Sequence, residues 1–213
     1  MGARSQFVED AALPVFSPAF RRDLEVLTHS QRGMGRFETT RVPERFVARV
    51  IRASAAPGPV EPTRLVRLGS NAARKAVLEN FEDANALVLA ASPTDPRTRA
   101  ARLARAALRD APVQFAVFHD GGPRIAMHPD ARRNLVAGGI ARMSLCARAL
   151  GFATGEVAVF DPHLIARDLA VPADWSFVAC FCLGYSADEH IDLMDEEVRR
   201  RTRQSLPDDV LHR

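Results

Sequence analysis

Lysine is almost missing from this sequence, since Lys75 is the only one among 29 Lys and Arg residues. The basic charge is therefore carried by arginine, and with 26 acidic residues it gives a formal net charge of +3. The arginines are spread along the whole chain, with no basic arm and no interleaved aromatic residues. We therefore expect no nucleic-acid partner, because proteins that bind nucleic acids concentrate positive charge on one face or stripe.

Long hydrophobic runs are also lacking. No apolar run approaches the roughly 20 residues that a membrane-spanning helix needs, although the hydrophobic content of 47% is ordinary for a globular protein. The opening sequence MGARSQFVEDAALPVF contains no apolar core of signal-peptide length. We therefore expect a cytoplasmic protein with no membrane partner.

Cysteine is scarce, with only Cys146, Cys180 and Cys182. Their odd number and apolar surroundings predict buried, reduced thiols and no disulfide. The Cys-x-Cys pair could contribute to a metal site, but no second cysteine pair and no nearby histidine cluster supports one. We therefore predict no bound metal.

The common catalytic and nucleotide-binding motifs are missing as well. The sequence contains no P-loop, no GxGxxG, no HExxH, no GxSxG and no EF-hand pattern. The six histidines lie far apart along the chain, so their spacing does not indicate metal ligation. The sequence therefore assigns no catalytic residue.

What the sequence does contain is an alternation of helical and strand patterns, interpreted as one domain over residues 1–213. Apolar spacing and caps predict helices at 17–29, 41–54, 70–91, 99–110, 131–151 and from 161. Apolar runs predict strands at 63–68, 111–120, 156–160 and 174–185. This order indicates an α+β sandwich with few strands. The polar tail, about 186–213, has one apolar stripe and is expected to pack on a partner subunit.

Two arginine-bearing segments are candidate phosphate sites. The loop QRGMGRF places Arg32 and Arg36 on backbone loosened by glycine. Such a loop can wrap a phosphate, because its N–H groups can converge and arginine supplies forked donors. The tail sequence RRRTR, which includes Arg201 and Arg203, is a second candidate; the alternative there is a solvated basic helix face.

The pair Thr154-Gly155 lies between a long helix and the strand predicted at 156–160. Its bare backbone has two explanations, which are tight packing and a flat ligand lying against it. Glu156 beside it is either a carboxylate on the surface rim or a group that faces a ligand. Gly138 and Gly139, in the middle of the long helix, are explained most simply by close helix packing.

The segment ARALGFATGEVAVFDPHLIARDLAVPADWSFVACFCLGY resembles the C-terminal half of the nitroreductase family. Within that family it is most similar to the 5,6-dimethylbenzimidazole synthase branch, whose members break down reduced FMN to make the lower ligand of vitamin B12. The similarity extends upstream through NFEDAN and ALRDAPVQFAVFHD, and more loosely through RRDLEVLTHSQRGMGRF. It covers roughly residues 16–206.

The resemblance implies a nitroreductase-like sandwich in which helices flank a central mixed sheet. It also implies an intertwined homodimer, with FMN bound in a cleft between the subunits and NAD(P)H as a possible electron donor. The backbone of Gly155, Glu156, Val157 and Ala158 would lie close to the flavin ring. The remaining FMN contacts would come from an N-terminal loop, a second loop and the tail, through Arg32, Arg36, Pro57, Gly58, Arg201 and Arg203.

The sequence departs from the family pattern at several of these positions. The family loop resembles R-R-D-x-R-x-F, whereas here Gln31 and Gly35 replace two arginines and Gly33 replaces the acidic residue. In the strand, Glu156 and Ala158 replace a tryptophan and a serine. Losing two forked phosphate donors would weaken FMN binding by about a hundredfold to ten-thousandfold.

That loss would be smaller if Arg36 or Arg142 reached the phosphate instead, and three functions stay open. The first is a flavin-dependent oxidoreductase that transfers hydride from NAD(P)H to a small acceptor. The second is a diverged relative that has lost FMN and uses the dimer cleft for another ligand or partner, where Glu156 would suit a cation. The third is 5,6-dimethylbenzimidazole synthesis, which overall similarity favours and the missing acidic residue and serine oppose.

Overall fold

Residues 15–29, 35–55, 62–122 and 127–187 are described by the structure, a computed structural model of the chain. The chain divides into two compact units, Met1–Gln31 with Leu193–Arg213, and Arg32–Asp192. The tail that was predicted to pack on a partner subunit lies outside the described residues from residue 188 onward.

Helix α1, Pro18–His29, is the described helix of the first unit. It begins where the sequence predicts, because the Ser17 Oγ accepts a hydrogen bond from the backbone N–H of Phe20 at 3.1 Å. Phe20 and Leu24, whose helical spacing predicted the element, are exposed on its surface.

A sheet of four strands forms the centre of the second unit, with the spatial order β1-β2-β4-β3. β2 and β4 are the inner strands, and β1 and β3 are the edges. The strands are β1 Thr63–Arg67, β2 Val113–Asp120, β3 Ala153–Val157 and β4 Trp175–Gly184.

Every neighbouring pair of these strands is antiparallel, which corrects the expected mixed sheet for the part of the chain that the structure describes. β1 and β2 are antiparallel because the connection between them returns the chain to the end of the sheet that it left. β1 ends at Arg67, which pairs with Phe115 near the start of β2, so the intervening helices return the chain to the same end of the sheet. A parallel neighbour would require a connection that crosses to the opposite end.

Helices cover both faces of the sheet. One face is covered by α3 (Asn71–Ala84), α4 (Ala86–Ala90), α5 (Pro96–Asp110) and α7 (Pro162–Asp168), and the other by α2 (Glu44–Arg52) and α6 (Pro129–Ala149). Because the inner strands are buried on both faces, β2 and β4 are largely apolar in sequence and do not alternate between apolar and polar residues.

The junction between α6 and β3 differs from the sequence prediction. Gly151, at φ 83°, ends the helix, and the N–H of Phe152 donates to the carbonyl of Ala147 at 3.0 Å. This is a Schellman cap, which glycine favours because the backbone is left-handed there. The chain turns so sharply that pairing begins at once, with Ala153 opposite Gly184. The strand predicted at 156–160 is therefore wrong, since β3 is Ala153–Val157.

Prolines and one asparagine set the other helix boundaries. α5 and α6 begin at Pro96 and Pro129, slightly before the predicted starts, because proline lacks the N–H that the first turn leaves unpaired. Ser70 caps α3 as predicted, accepting from the N–H of Ala73 at 3.1 Å. The long helix expected at 70–91 is broken at the buried Asn85 into α3 and α4.

Candidate functional site

The predicted cofactor strand is an edge strand. β3 pairs with β4 along one side, with Gly155 opposite Cys182 and Glu156 opposite Phe181, and no described strand pairs with its other side. An edge strand directs alternate backbone N–H and C=O groups outward. These groups can donate to and accept from the heteroatoms of a planar ligand laid along the strand.

Gly155 and Val157 are buried by the chain itself, whereas Glu156 and Ala158 are exposed. Gly155 shares its sheet face with Cys182, which lies in the core covered by α5. The burial of Gly155 by the chain itself fits the packing explanation for the missing side chain. The placement of residues 155–158 against a flavin ring stays a prediction.

Glu156 carries a carboxylate for which the described residues offer no compensating charge. Within the described residues it makes no hydrogen bond and no ion pair. Its side chain is exposed as a whole, yet neighbouring protein partly shields the carboxyl, and this desolvation raises the pKa of Glu156. The exposure of Glu156 agrees with a carboxylate on the surface rim. The lack of a partner among the described residues agrees with a group that faces a ligand.

Arg148, in the last turn of α6, is a second charge without a partner. Its Nη1 is fully buried and donates a hydrogen bond to no acceptor among the described residues. Burial lowers the pKa of Arg148, because desolvation disfavours the charged form. Nothing in the sequence of α6 indicates that Arg148 is partly buried, because arginines recur along this helix.

Arg36 is held at the far end of β4. Its carbonyl accepts a hydrogen bond from the N–H of Ala187 at 3.0 Å, and the next residue, Phe37, is buried against Gly184. Ala187 lies five residues beyond Cys182, which pairs with Gly155. At about 3.3 Å per residue this is roughly 16 Å of strand. Arg36 and Gly155 can therefore contact the same ligand only if it is elongated.

Five other predicted contacts lie outside the described residues, namely Arg32, Pro57, Gly58, Arg201 and Arg203. Their placement remains a prediction.

Arg142 has a structural role that the sequence did not reveal. Its Nε and Nη2 donate to the carbonyls of Ala53 and Ser54, at 3.2 and 2.8 Å, and so satisfy the C-terminal end of α2. Gly139 permits this approach, since a Cβ there would lie 2.8 Å from the Ser54 carbonyl oxygen. Close packing at Gly139 is thus confirmed. Two donor groups of Arg142 are engaged by α2, which makes it a poor substitute for a phosphate-binding arginine.

Two asparagines support the chain just after β3. The Asn80 side chain donates to the carbonyl of Asp161 at 3.2 Å and accepts from its N–H at 2.9 Å. The Asn85 amide donates to the carbonyl of Val159 at 3.1 Å. Both side chains are buried. The sequence analysis did not assign a role to Asn80 and Asn85. Their place within a helical segment that is otherwise largely apolar on its buried side could have indicated buried polar contacts.

The three cysteines carry free thiols. A hydrogen bond with Cys182, together with burial, raises the pKa of the Cys180 thiol, which is therefore protonated and unreactive. Within the described ranges no group of His, Cys, Asp and Glu side chains is arranged to hold a metal ion. None of the helices described is both long and apolar enough to cross a membrane.

Comparison with known proteins places these observations in a family. The model of the nitroreductase family matches residues 29–185. The 5,6-dimethylbenzimidazole synthase of Rhodospirillum rubrum is 37% identical over 186 residues, which cover 83% of this chain and 88% of that protein. The protein of the same name from Rhodobacter capsulatus is 35% identical over 133 residues, covering 60% of this chain and 64% of its own length.

Solved structures agree on the fold. A nitroreductase family protein from Clostridium novyi superposes with a TM-score of 0.61 at 17% identity, covering 76% of this chain and 84% of its own. Iodotyrosine deiodinase bound to FMN and 3-iodo-L-tyrosine gives 0.62 at 14% identity, covering 76% and 89%. The match to residues 29–185 spans the whole sheet with its helices α2–α7, and on this evidence the chain belongs to the nitroreductase family.

Proposed function

We propose that this protein is an FMN-dependent oxidoreductase that reduces a small acceptor with NAD(P)H. The observation that carries the proposal is the edge strand β3, which leaves one row of backbone groups available beside small residues in a chain of this family. FMN-bound members share the fold, including a protein from Exiguobacterium sibiricum with a TM-score of 0.57.

The proposal assigns the two ends of FMN to two parts of the chain. The backbone of residues 155–158 would hold the isoalloxazine ring through outward N–H and C=O groups. Arg36, which lies roughly 16 Å from Gly155 along the β4 direction and further from Val157, would hold the phosphate. The ligand would therefore be a molecule with a flat ring at one end and a phosphate at the other. Arg32, Pro57, Gly58, Arg201 and Arg203 would complete the phosphate and ribityl contacts, as the family pattern implies.

FMN, when bound, supplies the centre that takes up hydride from NAD(P)H and passes it to the acceptor. The chain itself would bind and orient. β3 fixes the ring plane, because its backbone is held by pairing with β4. Asn80 and Asn85 keep the following residues in place through the carbonyls of Asp161 and Val159. A second subunit would close the site, so the proposal includes a homodimer, and a cytoplasmic location follows from the expected NAD(P)H donor.

A second candidate is 5,6-dimethylbenzimidazole synthesis, which is favoured by the 37% identity with the Rhodospirillum rubrum synthase. Against it stand Gly33 and Ala158, which replace the acidic residue and the serine of that branch. Without these polar groups the described side chains of β3 that could direct oxygen or protons are those of Thr154 and Glu156.

The test begins with the visible spectrum of the purified protein and an FMN titration. Flavin bands and a dissociation constant in the micromolar range or below are expected, followed by FMN-dependent oxidation of NADH or NADPH. Arg36→Ala should weaken FMN by roughly ten- to a hundredfold, the value of one hydrogen bond to a charged group. Arg99→Ala, which removes an exposed arginine from α5, is the matched control and should leave affinity unchanged.

The other readings give different results in the same experiment. A protein that stays colourless and ignores FMN would contradict the proposal and indicate a relative that has lost the cofactor. Release of 5,6-dimethylbenzimidazole from reduced FMN in air, detected by chromatography, would establish the second candidate instead. Unchanged FMN affinity in Arg36→Ala would mean that the phosphate lies elsewhere.

A further inference from the structure

Two opposite charges without partners lie on one border of the protein. Arg148 and Glu156 make no hydrogen bond or ion pair with any residue that the structure describes. The helix cap at Gly151, which lies between them in the chain, is satisfied by hydrogen bonds to the carbonyls of Ala147 and Arg148. A buried guanidinium nitrogen and a shielded carboxylate both lose hydration, and an uncompensated charge in such a place is costly.

Helix geometry places Arg148 on the β3 side of α6. Gly139 faces α2 and β1, since a Cβ there would touch Ser54 and approach Thr63. Arg148 follows nine residues later, which at 3.6 residues per turn is half a turn away from Gly139. β1 and β3 are opposite edges of the sheet. The side of α6 turned away from β1 is therefore the side nearest β3.

Strand register places Glu156 on the same side of the molecule. Glu156 is paired with Phe181, and directly opposed residues in antiparallel strands point to the same face. Phe181 belongs to the core packed against α6, with Ile140 and Met143. Arg148 and Glu156 thus share the face covered by α6 and the edge formed by β3. We call this region, with Arg148 and Glu156 at its centre, the β3–α6 border.

We propose that the β3–α6 border is an interface between two copies of this chain, in which Arg148 of each protomer pairs with Glu156 of the partner subunit. The argument is charge complementarity within a single patch. In a twofold dimer the same patch meets itself, so each contact occurs twice with the roles exchanged. A patch that carries one cation and one anion, separated from each other within the chain, is self-complementary under this symmetry.

This inference rests on the homodimer of the proposed function. It adds the two residues, Arg148 and Glu156, through which one subunit would contact the flavin strand of the other. Glu156 lies on the strand assigned to the flavin ring. Its pairing with an arginine of the partner subunit would neutralise a carboxylate that is electrostatically unfavourable beside reduced flavin. The site of one subunit would then be incomplete without the arginine of the other.

The experiment uses two charge reversals, Arg148→Glu and Glu156→Arg, in the full-length protein. Each variant alone places like charges at both contacts of a homodimer, and should raise the dimer dissociation constant at least about tenfold in sedimentation velocity or native mass spectrometry. A 1:1 mixture of the two variants restores an attractive pair at both contacts of the heterodimer. We expect the mixture to dimerise as tightly as the unaltered protein.

The mixture separates this proposal from its competitors. If the two residues pair within one chain, the double variant regains stability but the mixture does not, which would overturn the proposal. If Arg148 binds an anionic ligand instead, Glu156→Arg leaves dimerisation unchanged, and the proposal is again wrong. Arg99→Glu, with the same change of charge at an exposed position on α5, controls for net charge.

Two further measurements keep the result interpretable. Should a reversal fail to fold, as judged by circular dichroism, the neutral variants Arg148→Met and Glu156→Gln give a double-mutant cycle, in which a coupling near zero contradicts the pair. A wild-type protein that is monomeric at micromolar concentration would refute the homodimer itself. A wild-type dimer that neither reversal weakens would leave the homodimer standing and refute only this contact.

Discussion

Phe181 and Glu156 are directly opposite each other in neighbouring strands, yet they differ in almost every respect. Phe181 lies in the inner strand β4 and is fully buried by α6 and its neighbours. Glu156 lies one strand further out, exposed and without a partner among the residues described. One step across the sheet therefore separates a fully buried position from one that makes no polar contact with the described residues.

The difference shows where function can reside in this fold. The inner strands have neighbours on both sides and helices on both faces, so their side chains serve packing. Among the residues that the structure describes, the edge strand has one row of backbone groups without a partner strand, and Arg148 and Glu156 beside it have no partner. A cofactor or a second subunit can lower the free energy only where the chain has left something unsatisfied.

The largest expected effect is on the free energy of unfolding when Phe181 and Glu156 are each replaced by alanine. Phe181→Ala should lower the free energy of unfolding by about 3–5 kcal/mol, because it removes a buried ring and leaves a cavity. Glu156→Ala should change it by about 1 kcal/mol or less, since the side chain is exposed. Urea unfolding followed by circular dichroism measures both. Equal losses would mean that the edge is as much a part of the core as the centre.

Removing the link between α6 and α2 should have the next largest effect. Arg142→Met keeps most of the side-chain volume but deletes both hydrogen bonds to the α2 carbonyls, and should cost about 1.5–3 kcal/mol. FMN affinity should change by less than about threefold, because the guanidinium is engaged by α2. A loss of FMN binding with unchanged stability would instead show that Arg142 contacts the phosphate.

The glycine pair in α6 provides a matched comparison of smaller size. Gly139→Ala should destabilise the fold by about 1–3 kcal/mol, because its Cβ would lie 2.8 Å from the backbone oxygen of Ser54. Gly138→Ala meets only the flexible end of Arg142 at 3.4 Å and should stabilise the helix by up to about 1 kcal/mol. Thermal unfolding of the two variants should shift in opposite directions. Shifts of the same sign would refute the packing explanation.

The smallest effect concerns His119, a buried residue at the end of β2 whose Nδ1 has no partner. Burial, then the charges of Arg132 and Arg133, lower its pKa below the usual 6.5, against smaller opposing contributions from Asp120. The unfolded chain therefore binds a proton first as the pH falls through 6.5, and stability declines from there down to the folded pKa.

His119→Gln should flatten this decline between pH 7 and pH 5, as measured by the urea midpoint at each pH. An unaltered slope in His119→Gln would mean that His119 keeps the same pKa when the protein unfolds.

Local chemistry explains which parts of the fold could be predicted. Ser70, Asp161 and the prolines mark helix starts because their effects act within one turn of the chain. The inner strands were predicted because burial on both faces requires an apolar run. β3 was misplaced by three residues, since its start is fixed by the cap at Gly151 and by pairing with Gly184. The antiparallel order depends on long connections that no local pattern encodes.

The sequence by itself determined the family, through similarity that covers most of the chain, and it determined the apolar, capped and turn-forming segments that build each element. Tertiary structure alone decided which charges are compensated. Arg142 and Arg148 are both arginines of α6, six residues apart, and nothing local distinguishes them. Arg142 donates to the carbonyls that follow α2, whereas Arg148 has no partner among the residues described, because a hydrogen bond depends on what packs opposite a side chain and not on its neighbours in the chain.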